Sequence, residues 1–85
     1  MNISKQEQRV LHILAMGGGI RRYLNEDGKL TEIICFTREG YSLSNCTMEI
    51  FKKLKSKKLI SSKNGQPYRI TLLGATSVQA QMNQR

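Results

Sequence analysis

Few side chains in this sequence could perform covalent, acid–base or metal chemistry. There is one histidine, His12, and two cysteines, Cys35 and Cys46. Proton transfer needs a group held within hydrogen-bond reach of a partner, and no Ser, Cys or carboxylate stands at a helical spacing that would orient His12. It is assigned no chemistry. Ten residues separate Cys35 from Cys46, with no Cys-x-x-Cys, a pattern that argues against zinc and against a disulfide framework and for a reducing cytoplasm. Gly17-Gly18-Gly19 has the composition of a phosphate-cradling loop, but it follows a helical segment instead of opening one and lacks a Lys-Ser or Lys-Thr pair. It reads as a helix terminator. With no carboxylate cluster and no nucleophile beside a base, the expectation is a protein without catalytic activity, metal or cofactor.

What remains is charge. Lys plus Arg is 14 and Asp plus Glu is 6, a net +8. Residues 1–49 hold six basic side chains (Lys5, Arg9, Arg21, Arg22, Lys29, Arg38) and six acidic ones (Glu7, Glu26, Asp27, Glu32, Glu39, Glu49). Residues 50–85 hold eight basic side chains and no acid, so the entire excess falls there. Lys52, Lys53, Lys55, Lys57, Lys58, Lys63 and Arg69 are the candidate contacts for a nucleic acid or an acidic partner, a stretch with no acid to neutralise it, as phosphate neutralisation requires. The bland reading is that lysines late in a helix complement its carbonyl end, by roughly 0.3–1 kcal/mol each. Tyr41 and Tyr68 are candidates for base stacking, against the commoner role of half-buried packing.

Those cations must be carried by one small domain, residues 1–85. The longest apolar run is four residues, Ile33 to Phe36, where a spanning helix needs about 20; the first residues lack the apolar centre of a signal peptide. A soluble, cytoplasmic chain is expected, with no membrane partner. Ser4 and Glu7 have capping-box spacing; Val10, Leu11, Leu14 and Ala15 share a face, predicting a first helix over residues 5–16. Ile20–Leu24 and Leu30–Phe36 then flank Asn25-Glu26-Asp27-Gly28, a hairpin signal. Leu43, Cys46, Thr47, Ile50, Phe51 and Leu54 recur at helical spacing, predicting a second helix over residues 45–57, capped by Ser44 or Asn45, with Cys46 in the core. Leu59–Lys63 and Tyr68–Leu72 flank Asn64-Gly65, a second hairpin, with Pro67 near the turn or at an edge. Thr71 is placed to cap a last helix in which Ala75, Val78 and Met82 repeat.

A lysine-rich helix followed by strand, polar turn and returning strand is the order of the second half of a winged helix. The expected fold is therefore α+β, a small winged-helix-like domain with an additional β-hairpin after the first helix. The hairpin stands where a winged helix usually has its second helix. The lysine helix also lacks the Arg, Asn and Gln that read bases in pairs of hydrogen bonds.

Three blocks of the sequence stand out, the two later ones distinctive in order and spacing. They are Ser4-Lys5-Gln6-Glu7-Gln8-Arg9 with Leu11-His12, Leu14-Ala15 and Gly17-Gly18; Cys46-Thr47 with Phe51-Lys52-Lys53-Leu54-Lys55 and Lys57-Lys58-Leu59-Ile60; and Asn64-Gly65-Gln66-Pro67-Tyr68-Arg69-Ile70. Together they resemble the YjhX toxin family over essentially the whole chain. The resemblance implies a bacterial toxin of a toxin–antitoxin pair that binds DNA topoisomerase I and inhibits relaxation of negatively supercoiled DNA, blocking replication and growth. It also implies an acetyltransferase-like antitoxin encoded alongside. DNA is a further partner that the charge pattern admits. The competing expectation is a winged-helix transcription regulator, which would need a specific DNA site and usually paired half-sites.

Overall fold

The structure, a computed structural model, describes residues 3–44 and 46–82, the side chains of residues 79–82 excepted. Asn45, one expected cap, and the Met82 side chain lie outside the described residues. The elements run α1 (Lys5–Ala15), β1 (Gly19–Leu24), β2 (Leu30–Phe36), β3 (Ser42–Leu43), α2 (Met48–Ser56), β4 (Ile60–Ser61), β5 (Arg69–Ile70) and α3 (Leu72–Met82). This is the expected α+β class, with three helices and two small antiparallel sheets, ordered β1-β2-β3 and β4-β5, among the described residues.

The capping box at α1 forms as its spacing predicts. Glu7 N–H donates to Ser4 Oγ at 3.1 Å and Ser4 N–H donates to the Glu7 carboxylate at 3.3 Å. Gly17, at φ +105°, ends the helix in a conformation that side chains with a Cβ avoid. A Cβ on Gly18 would lie 2.4 Å from the Phe36 carbonyl oxygen, so only glycine lets the chain pass this close to β2 on its way into β1.

β1 and β2 pair from Gly19↔Phe36 to Leu24↔Leu30, with one register shift after Tyr23. Asn25 Oδ1 closes their turn by accepting from the Asp27 and Lys29 amides, each at 2.9 Å. β3 adds to the far side of β2, Cys35 opposite Leu43.

α2 starts later than expected. Thr47, not Ser44, is its cap, its hydroxyl accepting from Ile50 N–H at 3.2 Å. At the other end Leu59 N–H donates to Leu54 O and Lys58 N–H to Lys55 O, each at 3.0 Å, with Lys58 at φ +61°. These two bonds are a Schellman closure with a lysine at the left-handed position. The second hairpin has its Asn64-Gly65 turn, both residues at positive φ (54° and 75°) as a primed turn requires. Its strands are shorter than expected, with Pro67 next to the turn having no N–H to give the ladder; on the other edge Ile20 N–H donates to Tyr68 O at 3.0 Å and Tyr68 N–H to Ile20 O at 2.7 Å. That bridge ties the two sheets together. Thr71 caps α3, accepting from Gly74 N–H at 3.1 Å and donating to Lys58 O at 2.8 Å.

All these elements close on one core. Val10, Leu11 and Leu14 of α1 meet Ile20, Cys35, Cys46, Ile50, Phe51, Leu54, Leu59, Ile60, Tyr68 and Val78. No helix among the described residues is long and apolar enough to cross a membrane.

Candidate partner-binding surface

α2 sorts its residues by face. Ile50, Phe51 and Leu54 are buried, which leaves Lys52, Lys53 and Lys55 exposed on the outward side. Lys58 and Lys63 are exposed beyond the helix, one at its left-handed end and one at the entry to the Asn64-Gly65 turn.

Not all seven candidate cations stand without acid. Lys57 reaches back to α1, its ammonium 2.8 Å from Glu7 Oε2, and Glu7 is only 2% exposed. Lys53 pairs with Glu49 one turn earlier, at 3.2 Å in the open. The expectation of an unneutralised run is corrected at these two positions. Helix periodicity put Glu49 beside Lys53, and the packing of α2 on α1 brought Glu7 to Lys57. Burial works to raise the Glu7 pKa, but the hydrogen bond from Lys57, those from Ser4 and the Lys57 charge outweigh it. The carboxyl titrates below its usual range.

Arg69 is tied into the fold. Its Nη1 donates to the carbonyls of Gly17 and Gly18 at 3.2 and 3.0 Å, and its guanidinium lies 5.4 Å from the centre of the Phe36 ring. A cation on carbonyls just past a helix end is favourable on dipole grounds as well. Gly19 makes room for it, since a Cβ there would lie 2.8 Å from Phe36 and 2.9 Å from Arg69 Nη1.

The structure adds two cations that the half-by-half arithmetic set aside. Arg21 and Arg22 of β1 are exposed and, with Gly65, Gln66 and Pro67, line a groove of about 250 Å³. Arg22 donates to the Tyr68 hydroxyl at 3.3 Å and lies 5.7 Å from that ring's centre; the Lys55 ammonium is 5.9 Å from the same ring. Tyr68, buried and edge-on to Phe51 at 5.0 Å, is thus where the lysine face and the arginine groove meet. Tyr41 stands exposed and away from it. The only sequence signal for the arginine pair was its position on a strand followed, 46 residues later, by a tyrosine.

The side chains with reactive chemistry are elsewhere. Cys35 and Cys46 are buried together as free thiols. Their mutual hydrogen bond lowers Cys35 and, with burial, pushes Cys46 far above the usual thiol range. Among the described residues no three His, Cys, Asp or Glu side chains group to hold a metal ion.

A family model described as "Putative toxin of bacterial toxin-antitoxin pair", the YjhX toxin, matches residues 1–85. The chain belongs to the YjhX toxin family. Among relatives of this YjhX toxin family member, a UPF0386 protein from Aliivibrio fischeri is 87% identical over the full length of both chains. Another from Brucella anthropi is 59% identical, again end to end, and one from Myxococcus xanthus is 54% identical over 87% of each chain. No solved structure matches it.

Proposed function

We propose that this protein is the toxin of its pair, acting in the cytoplasm without catalysis. It binds DNA topoisomerase I and inhibits relaxation of negatively supercoiled DNA, so that replication and growth stop. An acetyltransferase-like antitoxin counteracts it. The observation that carries the reading is a lysine face on α2, continued by Lys58 and Lys63, on a chain of a toxin family. Such a face offers several exposed cations on one side of a short rigid helix. Charge complementarity of this kind sets orientation and association rate more than raw affinity.

A supercoil relaxation assay tests it. Wild-type protein slows relaxation by purified topoisomerase I, and a folded Lys52→Glu, Lys53→Glu, Lys55→Glu variant loses at least about tenfold in potency, the equivalent of about 1.4 kcal/mol. Full inhibition by that variant would remove the lysine face from the mechanism. Capture of the enzyme by immobilised toxin after nuclease treatment separates direct contact from bridging through DNA.

A further inference from the structure

We propose that the groove between β1 and the 65–67 turn binds the phosphodiester backbone of a nucleic acid. It is a site beside the lysine face of α2, meeting it at Tyr68, and it is independent of the topoisomerase reading. The groove exists because a β-pairing is broken off. Ile20 exchanges both of its backbone bonds with Tyr68, and by the two-residue alternation of an antiparallel ladder Arg22 presents its backbone to the same edge. The partner strand does not follow. Gln66, opposite Arg22 in this register, gives its N–H to Lys63 O at 3.0 Å, and the turn at Asn64 and Gly65 carries the chain away.

The walls suit a phosphate. Arg21 and Arg22 both line the gap but leave β1 on opposite faces, Arg22 toward Tyr68 and Arg21 toward Phe36, and among the described residues no carboxylate lines it with them. The guanidinium fork matches the oxygens of a phosphate through paired hydrogen bonds. Both arginines are already steered before any ligand arrives, Arg22 by the Tyr68 hydroxyl and ring, and Arg21 by the Phe36 ring at 5.9 Å. Less side-chain entropy is then lost on binding. The opposite wall is low, with nothing within 4 Å of the place a Gly65 Cβ would occupy. Lys55, at the Tyr68 ring, extends the positive track beyond the groove. An acidic peptide strand would need pockets for its alternate side chains, and among the described residues Pro67 is the one apolar side chain lining the groove.

The test is fluorescence anisotropy of a labelled oligonucleotide, single-stranded and as a duplex, titrated with the full chain at several salt concentrations. Wild type binds at low salt, in either form of the oligonucleotide. Arg21→Gln with Arg22→Gln weakens binding at least about tenfold and flattens the plot of log affinity against log salt by about 1.4 for the single strand or about 1.8 for the duplex. Lys5→Gln with Lys29→Gln removes the same charge from other surfaces and changes affinity several-fold less. Because Arg22 packs on Tyr68, Gln66→Glu is the second variant. It disturbs no packed side chain, sets a carboxylate in the groove, and weakens binding with an unchanged thermal melt. No binding at low salt, an equal loss in the Lys5 and Lys29 control, or full binding by Gln66→Glu would each overturn the proposal. So would arginine variants that lose capture of nuclease-treated topoisomerase I while binding the oligonucleotide as wild type does.

Discussion

Glu7 shows how one residue can hold two places in the fold. The spacing of Ser4 and Glu7 made its cap role legible, since that role needs only local geometry. Its second role, holding Lys57, was not legible, because the pair is 50 residues apart in the chain and exists only once α2 packs on α1. The same blindness made Lys57 look like a free cation. Replacing Glu7 by Gln isolates the charge, because glutamine can still reach the Ser4 amide as a capping-box partner. The variant is expected to lose about 1–3 kcal/mol at pH 7, from the loss of a charge-assisted hydrogen bond. The sign of its pH dependence follows from the lowered folded-state pKa. The unfolded chain, with Glu near about 4.3, binds more protons than the folded one below neutral pH, so the Glu7 contribution is complete above that value. It disappears as pH falls through the folded-state pKa. Thermal melts across an acid series should therefore show wild type and Glu7→Gln drawing together in acid. A constant gap at every pH would mean that shape, not charge, made the difference.

At the scale of elements, local chemistry fixed where helices and turns begin and end, and distant pairings tied the sheets together. α1, the first hairpin and the Asn64-Gly65 turn follow from caps, glycines and alternation, and they form at or within a residue of the expected positions. α2 lost its first residues because the Thr47 hydroxyl captures the Ile50 amide. The second hairpin is short beside Pro67, which has no N–H to give, and the Tyr68 bonds to Ile20 on its other edge join residues 48 positions apart that no local pattern announces. α3 was legible from Thr71 but not in its mode of packing. Gly74 lies so close to Leu59 that a Cβ would be 2.4 Å from its carbonyl oxygen and 2.7 Å from Ile70 Cγ1. Intrinsic propensity favours alanine there by about 1 kcal/mol, yet backbone cannot yield as a flexible side chain would. Gly74→Ala is expected to destabilise by about 1–3 kcal/mol, the cost of overpacking, lowering Tm by roughly 4–8 °C for each kcal/mol. A Tm equal to or above wild type by circular dichroism would show that α3 slides freely on β4 and β5.

At the scale of the whole molecule, the split between a neutral first half and a basic second half is a property of the chain order and not of the surface. Arg21 and Arg22 cross into the basic region through β1, while Glu7 and Glu49 cross the other way to occupy Lys57 and Lys53. The net +8 remains, carried by a body whose Cα radius of gyration is 12.5 Å. Its dimensions are comparable to the Debye length, about 10 Å at 0.1 M salt and about 30 Å at 0.01 M. At low salt, then, most of these cations feel one another, and self-repulsion opposes the compact state. Raising salt should stabilise the fold, since the buried Glu7–Lys57 pair is screened far less than the exposed cations. The same change should weaken any partner held by those cations, because their attraction is screened or their counterions are no longer released to advantage. One titration therefore has two readouts of opposite sign, Tm rising and affinity for topoisomerase I or an oligonucleotide falling between 0.01 and 0.1 M salt. If Tm instead fell with salt, the exposed pairs such as Lys53–Glu49 would be contributing more than the repulsion costs. If affinity stayed flat while Tm rose, the cations would be shaping the stability of the protein and not its binding, and the partner surface would have to be sought among uncharged residues.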